Sequence, residues 1–280
     1  MQIHSTIEAM RAHSRAARRD RKLIGCVPTM GALHEGHLSL VRAAKSRCEL
    51  VVASIFVNPS QFGPNEDLAK YPRNFDRDRQ LLESENVDAI FAPDVAEMYP
   101  SGATTWVNVD GLSEKLDGKS RPGHFRGVAT VVAKLFHAIE PDLAFFGQKD
   151  AAQVAIIRRM VRDLRFATEI VACPIVREPD GLAMSSRNAY LDPAQRKAAL
   201  VLSRALKEVR RIYESGERDP GALIQCGKLV VANEPAARLD YFEIVDPQTL
   251  DPVAKATEGT LVAVAAYLGT TRLIDNVLLP

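Results

Sequence analysis

Short apolar runs alternate with helical patterns of polar and apolar positions over the first 176 residues of the chain. The runs are apolar at consecutive positions, which is typical of parallel strands buried on both faces. They predict five strands, at 22–29, 50–56, 88–93, 142–147 and 169–176. Helical spacing of apolar residues predicts helices between them, at 36–47, 75–84, 123–139 and 150–163. The alternation predicts an α/β fold with a doubly wound, Rossmann-like parallel sheet over 1–176.

The pattern changes after Arg177. Asp192 followed by Pro193 predicts an N-cap and the first position of a long helix, which runs to about Ser215. A second helix is predicted at 220–232, and strands at 238–245, 260–267 and 272–278. Helices followed by strands predict a smaller C-terminal α+β domain over 177–280.

The N-terminal residues have no apolar segment typical of a signal peptide. Instead, Ser5 with Glu8 three residues later predicts a capping box that opens a surface helix. The longest apolar run, 261–268, is too short to span a membrane. The four cysteines are far apart and form no Cys-x-x-Cys pair, which disfavours a disulfide framework or a zinc site. We therefore expect a cytoplasmic protein with no membrane partner.

Charge and composition limit the class of ligand. The 280 residues include 36 Lys and Arg against 35 Asp and Glu, a formal net charge of +1. Broad electrostatic binding of nucleic acid needs a basic excess that this chain lacks. The hydrophobic fraction of 46% and charged fraction of 25% are typical of globular proteins. We expect a small-molecule ligand and no nucleic acid.

The segment Pro28–Leu40 follows the first predicted strand and enters the first predicted helix. His34 and His37 are three residues apart, so on a helix they share a face, and Gly36 between them allows a ligand to approach the backbone. The free N–H groups of a helix N-terminus also favour an anion. The alternative is a pair of ordinary surface histidines at a helix start. Zinc-binding helices space their histidines four residues apart, which disfavours a metal site.

Two further loops carry polar side chains. Asn58 and Gln61 follow the second strand, although Asn-Pro and Gly-Pro in this loop are also ordinary turn chemistry. The stretch 118–127 contains Arg121, His124 and Arg126 among three glycines. Arginine suits phosphate oxygens, and a flexible solvated loop is the alternative.

The last two motifs follow the fourth and fifth strands. Gly147 to Asp150, with Gln153, offers a cation for phosphate and a carboxylate for a ribose hydroxyl or a metal, although Asp150-x-x-Gln153 also has the spacing of a capping box. Met184 to Asn188 offers two hydroxyls and a guanidinium, although Ser-Ser before a helix is commonly only a cap. All but one of the five motifs directly follow a predicted strand, so we expect them to meet at one edge of the sheet.

These residues carry a resemblance. His34-x-Gly36-His37 is similar to the HIGH-type motif of the nucleotidyltransferase superfamily, and Met184 to Arg187 resembles the second, KMSKS-type phosphate loop. With 56–73, 121–128 and 146–153, the chain resembles the pantoate–β-alanine ligase (pantothenate synthetase) family from its first strand to its C-terminal domain. The resemblance implies that ATP adenylates pantoate with release of pyrophosphate, and that β-alanine then attacks the adenylate to give pantothenate and AMP.

The resemblance also implies roles for matching residues. His37, His34, Lys149 and Arg187 would be catalytic, with His37 the family's acid. The residues implied to surround ATP are Met30, Gly31, Ala32, Leu33, His34, Glu35, Gly36, His37, Gly147, Gln148, Lys149, Asp150, Val176, Met184, Ser185, Ser186 and Arg187. Those implied near pantoate and β-alanine are Gln61, Gln153, Asn58, Arg121 and His124. Mg²⁺ is expected mainly on the ATP phosphates, with Asp78 or its neighbour Asp76 as the implied carboxylate.

A reactive acyl adenylate requires exclusion of water. We expect the stretches 118–127 and 60–67, together with the C-terminal domain, to cover the site. The resemblance further implies a homodimer, for which the apolar edge near 104–112 is a candidate surface. Two other functions remain open: an adenylyltransferase that acts on a phosphate acceptor, and a nucleotide-binding module without turnover.

Overall fold

A parallel sheet forms the larger part of the computed structural model, which describes residues 1–64 and 66–280. Asn65, in one of the two stretches expected to cover the site, lies outside the described residues. All strand pairs of this sheet are parallel. Its strands are β1 (Gln2–His4), β2 (Ile24–Thr29), β3 (Leu50–Ile55), β4 (Ala89–Phe91), β5 (Leu143–Gly147) and β6 (Glu169–Cys173).

The strand order is β1-β4-β3-β2-β5-β6. Chain order therefore reverses at β2, which has β3 on one side and β5 on the other. Ligands of doubly wound sheets bind beyond the carboxyl ends of the strands at such a reversal. The order thus places the expected site after β2 and β5, where the His34 and Lys149 segments begin.

Helices cover both faces of this sheet and bury its strands. The longest, α6, is buried at twelve positions and packs on the core through residues such as Val128, Val132 and Phe136. Other apolar residues of β2, β3 and β4 pack with α2 in a separate cluster. The helices of this part are α1 (Ile7–Arg19), α2 (Glu35–Lys45), α3 (Phe75–Ser84), α4 (Val95–Met98), α5 (Asp117–Ser120), α6 (His124–Ile139) and α7 (Ala151–Asp163).

A separate three-stranded antiparallel sheet forms the smaller domain, in the order β7-β8-β9. Residues of its central strand alternate between two cores: Leu261 and Ala263 join the core of the first domain, whereas Val262 and Val264 pack with the domain's own helices. This explains why the run 261–268 is apolar at consecutive positions. The elements are α8 (Pro193–Ala198), α9 (Leu200–Glu214), α10 (Pro220–Ala232), β7 (Ala237–Val245), β8 (Leu261–Leu268) and β9 (Thr271–Leu278).

An ion cluster also links the two domains. The guanidinium of Arg272 on β9 contacts Asp117 of α5 at 2.7 Å and Asp240 of β7 at 2.8 Å. Ser120 donates to the same Asp240 carboxylate across the junction. The smaller domain is therefore fixed to the first domain by both apolar packing and charge.

The predicted fold class is confirmed, with local corrections. The prediction missed strand β1, three residues long, because so short an edge strand has no period of its own. The N-cap of α1 is Thr6, whose hydroxyl accepts from the Ala9 amide, and the predicted capping box at Ser5 is wrong. The predicted helix from 193 is divided at Ala199 into α8 and α9. Among the described residues, no helix is long and apolar enough to cross a membrane.

Candidate active site

A cleft of about 1330 Å³, partly open to solvent, lies where β2, β5 and β6 end. It brings together most of the residues singled out from the sequence. The predicted site residues that line it are Met30, His34, Gly36, His37, Asn58, Gln61, Arg121, His124, Gly147, Lys149, Asp150, Gln153, Val176, Met184, Ser185, Ser186 and Arg187. Gly31, Ala32, Leu33, Glu35 and Gln148 belong to the same segments but do not line the cleft.

The turn between β2 and α2 has an unusual backbone. Gly31 and Ala32 both have positive φ, +80° and +52°, so the chain reverses sharply after Met30. The Thr29 hydroxyl accepts from the Gly31 amide at 3.1 Å. The carboxylate of Asp78 then accepts from the amides of Ala32, at 2.8 Å, and Leu33, at 2.9 Å. These bonds fix the position at which α2 begins.

Asp78 is therefore an anchor of this turn rather than an open metal ligand. Its side chain is only 1% exposed, and both carboxylate oxygens are bound to backbone amides. A Cβ on Gly31 would lie 2.9 Å from Asp78 Oδ2, so the turn and the carboxylate fit closely. The expectation that Asp78 serves Mg²⁺ is corrected on this ground. Its neighbour Asp76, in the same first turn of α3, is exposed.

The two histidines cap the helix that they begin. His34 is the N-cap of α2, and its Nδ1 accepts from the Gly36 amide at 3.1 Å. His37 Nδ1 accepts in return from the His34 amide, at 3.4 Å. A Cβ on Gly36 would lie 2.8 Å from the His34 ring, which explains the glycine. Because each Nδ1 accepts, each Nε2 carries the proton and is a hydrogen-bond donor.

Both rings are neutral near pH 7. Burial, together with the nearby Lys149, lowers the pKa of His34 to about 4. Burial also lowers the pKa of His37 to about 3, with added repulsion from His34 and Lys149. The ring centroids are 4.2 Å apart, so protonation of one ring disfavours protonation of the other. The two histidines can therefore cap helix α2 through Nδ1 and still bind a ligand through Nε2.

Lys149 lies on a 3-10 turn, Gln148–Asp150, between β5 and α7. Its ammonium has no ion pair or hydrogen bond with the rest of the described chain. Asp150 is the N-cap residue of α7, but its side chain makes no capping bond. The capping-box prediction for Asp150 and Gln153 is therefore wrong, and the Asp150 carboxylate remains free to bind a ligand in the cleft.

The second phosphate loop does form a cap. Ser185 is the N-cap of the 3-10 helix Ser186–Tyr190, and its hydroxyl accepts from the Arg187 amide at 3.3 Å. Arg187 forms a bidentate pair with Asp67 through Nε and Nη2, each at 3.0 Å. Burial disfavours charge on Asp67, yet this ion pair holds the pKa of Asp67 below its ordinary value. Nη1 of Arg187 makes no hydrogen bond to any described residue.

Arg121 is held mainly by protein groups. It pairs with Glu66 through Nε at 2.7 Å and Nη2 at 2.5 Å, and its Nη1 donates to His124 Nε2 at 2.9 Å. His124 Nδ1 donates to the Gln61 carbonyl at 2.8 Å, and burial with the neighbouring Arg121 lowers the pKa of His124 to about 4. This arrangement commits both nitrogens of His124 and all but one N–H of Arg121 to protein groups, so the two side chains chiefly support Gln61. Their expected contacts with substrate stay a prediction.

The side chain of Asn58 likewise holds protein groups in position. It is 1% exposed, donates to Gln61 Oε1 and the Gly127 carbonyl, and accepts from the Tyr99 hydroxyl. A Cβ on Gly127 would lie 2.3 Å from the Ser60 carbonyl oxygen, so α6 contacts this turn directly. Of the glutamine amides that line the cleft, that of Gln153 makes no hydrogen bond to any described residue, whereas Gln61 Oε1 accepts from Asn58 and Gln61 Nε2 donates to Met30 Sδ at 3.1 Å.

Sequence reasoning missed several contributors. Glu66 and Asp67 lie in the segment 56–73, whose charge pattern gives no sign that these two carboxylates pair with two separate arginines. Tyr71, 5% exposed, lies 3.3 Å from the Ser186 hydroxyl. Asn276, far along the chain, donates to the carbonyls of Gln148 and Lys149. None of these contacts has a local pattern, because each joins segments distant in sequence.

A resident metal site does not fit the residues present. No group of three or more His, Cys, Asp or Glu side chains in the described residues could hold a metal ion. Asp78 is occupied, which leaves Asp150 as the carboxylate lining the main cleft. A single carboxylate suits a cation that arrives on a polyphosphate, as Mg²⁺ commonly does.

The sheet order, the paired histidines at a helix N-terminus and the free lysine are typical of α/β nucleotide-binding proteins. The family model "Pantoate-beta-alanine ligase" matches residues 2–278. The chain belongs to this family.

Individual relatives agree with the family. The pantothenate synthetase of Koribacter versatilis is 61% identical over 279 residues, which cover 100% of this chain and 96% of the relative. The crystal structure of pantothenate synthetase from Thermus thermophilus is similar with a TM-score of 0.95, at 48% identity and 100% coverage of both chains. The ligase of Francisella tularensis, complexed with β-γ ATP and β-alanine, has a TM-score of 0.81 at 34% identity, covering 99% of this chain and 97% of that one.

We expect Asp78→Asn to lower the free energy of unfolding by about 1–3 kcal/mol, because an amide nitrogen would face one of the two backbone N–H groups. The matched control is Asp76→Asn, on the exposed side of the same helix turn. Urea unfolding in the absence of Mg²⁺ measures the loss. Equal stability of the two variants, or a changed Mg²⁺ dependence of activity in Asp78→Asn alone, would contradict the anchor assignment.

The lowered histidine pKa values predict acid sensitivity with a definite sign. Below about pH 6.5 an unfolded histidine binds a proton that the folded His37 resists down to about pH 3. Stability conferred by neutral His37 is therefore full above pH 6.5 and falls as the pH drops. His37→Gln keeps a capping side chain and removes this titration, so its stability should fall less steeply between pH 6.5 and 4, by at most about 1.4 kcal/mol per pH unit. Parallel unfolding curves against pH in both proteins would refute the assignment.

Proposed function

We propose that this protein joins pantoate to β-alanine at the expense of ATP, through a pantoyl adenylate. A carboxylate oxygen of pantoate bonds to the α-phosphorus while the bond to the β-phosphate oxygen breaks and pyrophosphate leaves. The β-alanine amine then bonds to the acyl carbon, AMP leaves, and the amine loses a proton. The observation that carries the proposal is the meeting of His34, His37, Lys149 and Ser185–Arg187 in one cleft of a chain that matches the ligase family throughout.

The part of the cleft that contains His34, His37 and Lys149 suits an anion whose negative charge increases in the transition state. In the proposed mechanism the Nε2–H donors of His34 and His37 and the ammonium of Lys149 stabilise the triphosphate and the transferring phosphoryl group. Arg187 reaches a phosphate through its unused Nη1 while Asp67 holds the other nitrogens. Bound phosphates raise the pKa of both rings, which allows His37 to act as a proton donor in the complex although it is neutral without ligand.

Other residues would orient the reactants. We assign Met30, Gly36, Gly147, Asp150 and the Val176 backbone to adenosine. Gln61 and Gln153 would orient the hydroxyls of pantoate: the Gln153 amide bonds no described residue, and Gln61 Nε2 has a second N–H besides the one that it donates to Met30 Sδ. Asn58, Arg121 and His124 act through Gln61 rather than on the substrate. Fixed donors of this kind lower the barrier by positioning the reacting groups.

The cleft-lining amides also favour the ligase over the two other functions. An adenylyltransferase for a phosphate acceptor requires cations at the acceptor end. There the guanidinium of Arg121 is already bound to Glu66. A binding module without turnover has no need of two neutral histidine donors beside a free lysine.

The remaining parts of the proposal rest on the fold and on chemistry. Mg²⁺ would arrive on the ATP phosphates, with Asp150 as the nearby carboxylate. We place the domain boundary at 176/177, shortly after the end of β6 at Cys173, and we place the protein in the cytoplasm. For a homodimer, the segment around Trp106 is the candidate surface, because its indole is 43% exposed with Arg126 stacked on it at 4.5 Å.

The reaction is tested with purified protein, ATP, Mg²⁺ and pantoate, with and without β-alanine. We expect pantoate-dependent exchange of pyrophosphate into ATP, and AMP with pantothenate only when β-alanine is added. Formation of ADP, or exchange that ignores pantoate, would overturn the proposal.

Lys149→Ala should lower the exchange rate by about 10²–10³, since one fixed charge contact to the transition state is removed. It should leave the unfolding midpoint nearly unchanged, because no described protein group depends on this ammonium. Lys228→Ala, at an exposed position on α10, is the control and should keep full activity. Wild-type exchange in the Lys149 variant would exclude the lysine from the mechanism.

A further inference from the structure

Strand β9 of the smaller domain carries two adjacent polar residues that are almost completely buried. Asp275 and Asn276 are each 3% exposed. A buried polar side chain is costly unless its hydrogen bonds are satisfied, so the partners of these two show what they hold. Apart from the Asn276 backbone amide, which donates to Asp275 at 2.8 Å, the partners of both side chains lie outside the smaller sheet.

Asn276 clamps the turn that carries Lys149. Its amide nitrogen donates to the carbonyls of Gln148 and Lys149, both at 2.9 Å, and its oxygen accepts from the Gln148 side chain at 3.3 Å. This turn lacks the side-chain cap that Asp150 could have given to α7. The clamp from the other domain therefore replaces a missing local restraint.

Asp275 holds the base of a hairpin that carries the second phosphate loop. Its oxygens accept from both Nη atoms of Arg177, at 2.7 and 2.9 Å. Arg177 bridges to Ala183 and donates to the Gly181 carbonyl, and the Met184 amide then bonds the Val176 carbonyl. Ser185–Arg187 begin directly after this closed hairpin.

One strand thus fixes two loops that follow neighbouring strands of the first sheet. The loop with Lys149 follows β5, and the loop with Ser185–Arg187 follows β6 by way of the hairpin. The Cα atoms of Asp275 and Asn276 are only about 3.8 Å apart, so the spacing of the two clamps cannot vary much. Charge stabilisation in a transition state depends on such fixed spacing.

We propose that Asn276 and Asp275 are positioning residues for adenylation, which set Lys149 at a fixed distance from Ser185–Arg187. Neither touches a reacting atom; each acts through the backbone that it holds. The smaller domain then takes part in the first half-reaction, beyond covering the site. This inference rests on the proposed function.

Asn276→Asp tests it, because the variant keeps the side-chain size and places an anionic oxygen against two carbonyls. We expect pantoate-dependent ATP–pyrophosphate exchange to fall by about a hundredfold. Attack of β-alanine on chemically supplied pantoyl adenylate should fall by less than about tenfold, because pyrophosphate is no longer present to be held. Thr271→Val, in the same strand and 8% exposed, is the control and should keep both rates.

Failure of the inference is distinguishable from failure of the proposed function. Absent exchange in the wild-type protein refutes the function itself. Normal wild-type exchange with an equal fall of both half-reactions in Asn276→Asp, or with no fall, refutes the positioning role. If Asn276→Asp does not fold, Asn276→Ser retains one donor and should give the same unequal loss on a smaller scale. An equal loss in that variant again overturns the inference.

Discussion

The amides of Ala32 and Leu33 follow a sharp reversal of the chain, and one buried carboxylate, Asp78, accepts from both. Left-handed backbone at Ala32 is costly for a residue with a Cβ, so it persists only where the surroundings enforce it. The start of α2, and with it the mutual capping of His34 and His37, depends on this turn. This capping also decides which ring nitrogen carries the proton, because each Nδ1 accepts from a backbone amide.

Charge in the cleft is arranged as local pairs. Glu66 and Asp67, neighbours in the chain, hold Arg121 and Arg187, and each pair is partly buried. Such pairs contribute little net stability, but loss of one partner leaves an uncompensated charge at high cost. The pairs therefore hold the guanidinium groups in place. A chain with a net charge near zero can in this way form an anion-binding site. Within the described residues, the ammonium of Lys149 is the unpaired positive charge of this site.

Rules of local sequence predicted most of the architecture. The range of α10 and of α3 follows from capping residues and helical spacing, and the buried strands follow from their continuous apolar runs. The sequence also predicted correctly that most of the candidate residues meet in one cleft, because parallel strands end at one edge. The remaining features depend on tertiary contacts that spacing cannot reveal. Asp78 accepts from residues 45 and 46 positions earlier, and Asn276 donates to residues 127 and 128 positions earlier. Polar type alone could not separate Gln153, whose amide bonds no described residue, from Asn58, whose amide is bonded to the Gln61 side chain, the Gly127 carbonyl and the Tyr99 hydroxyl.

The two-sided burial of β8 bears on how substrates enter. Leu261 and Ala263, with Val245, are part of the core of the first domain, so swinging the smaller domain outward would expose them to water. Fully exposing a large side chain of this kind costs about 1.5–3 kcal/mol, and the Arg272 cluster would separate as well. If the smaller domain had to open for nucleotide to enter and pyrophosphate to leave, that free-energy cost would recur in every turnover. Entry and exit are cheaper through the segment of Asp67 and Tyr71, whose contacts with Arg187 and Ser186 are polar and can be exchanged for those of a ligand.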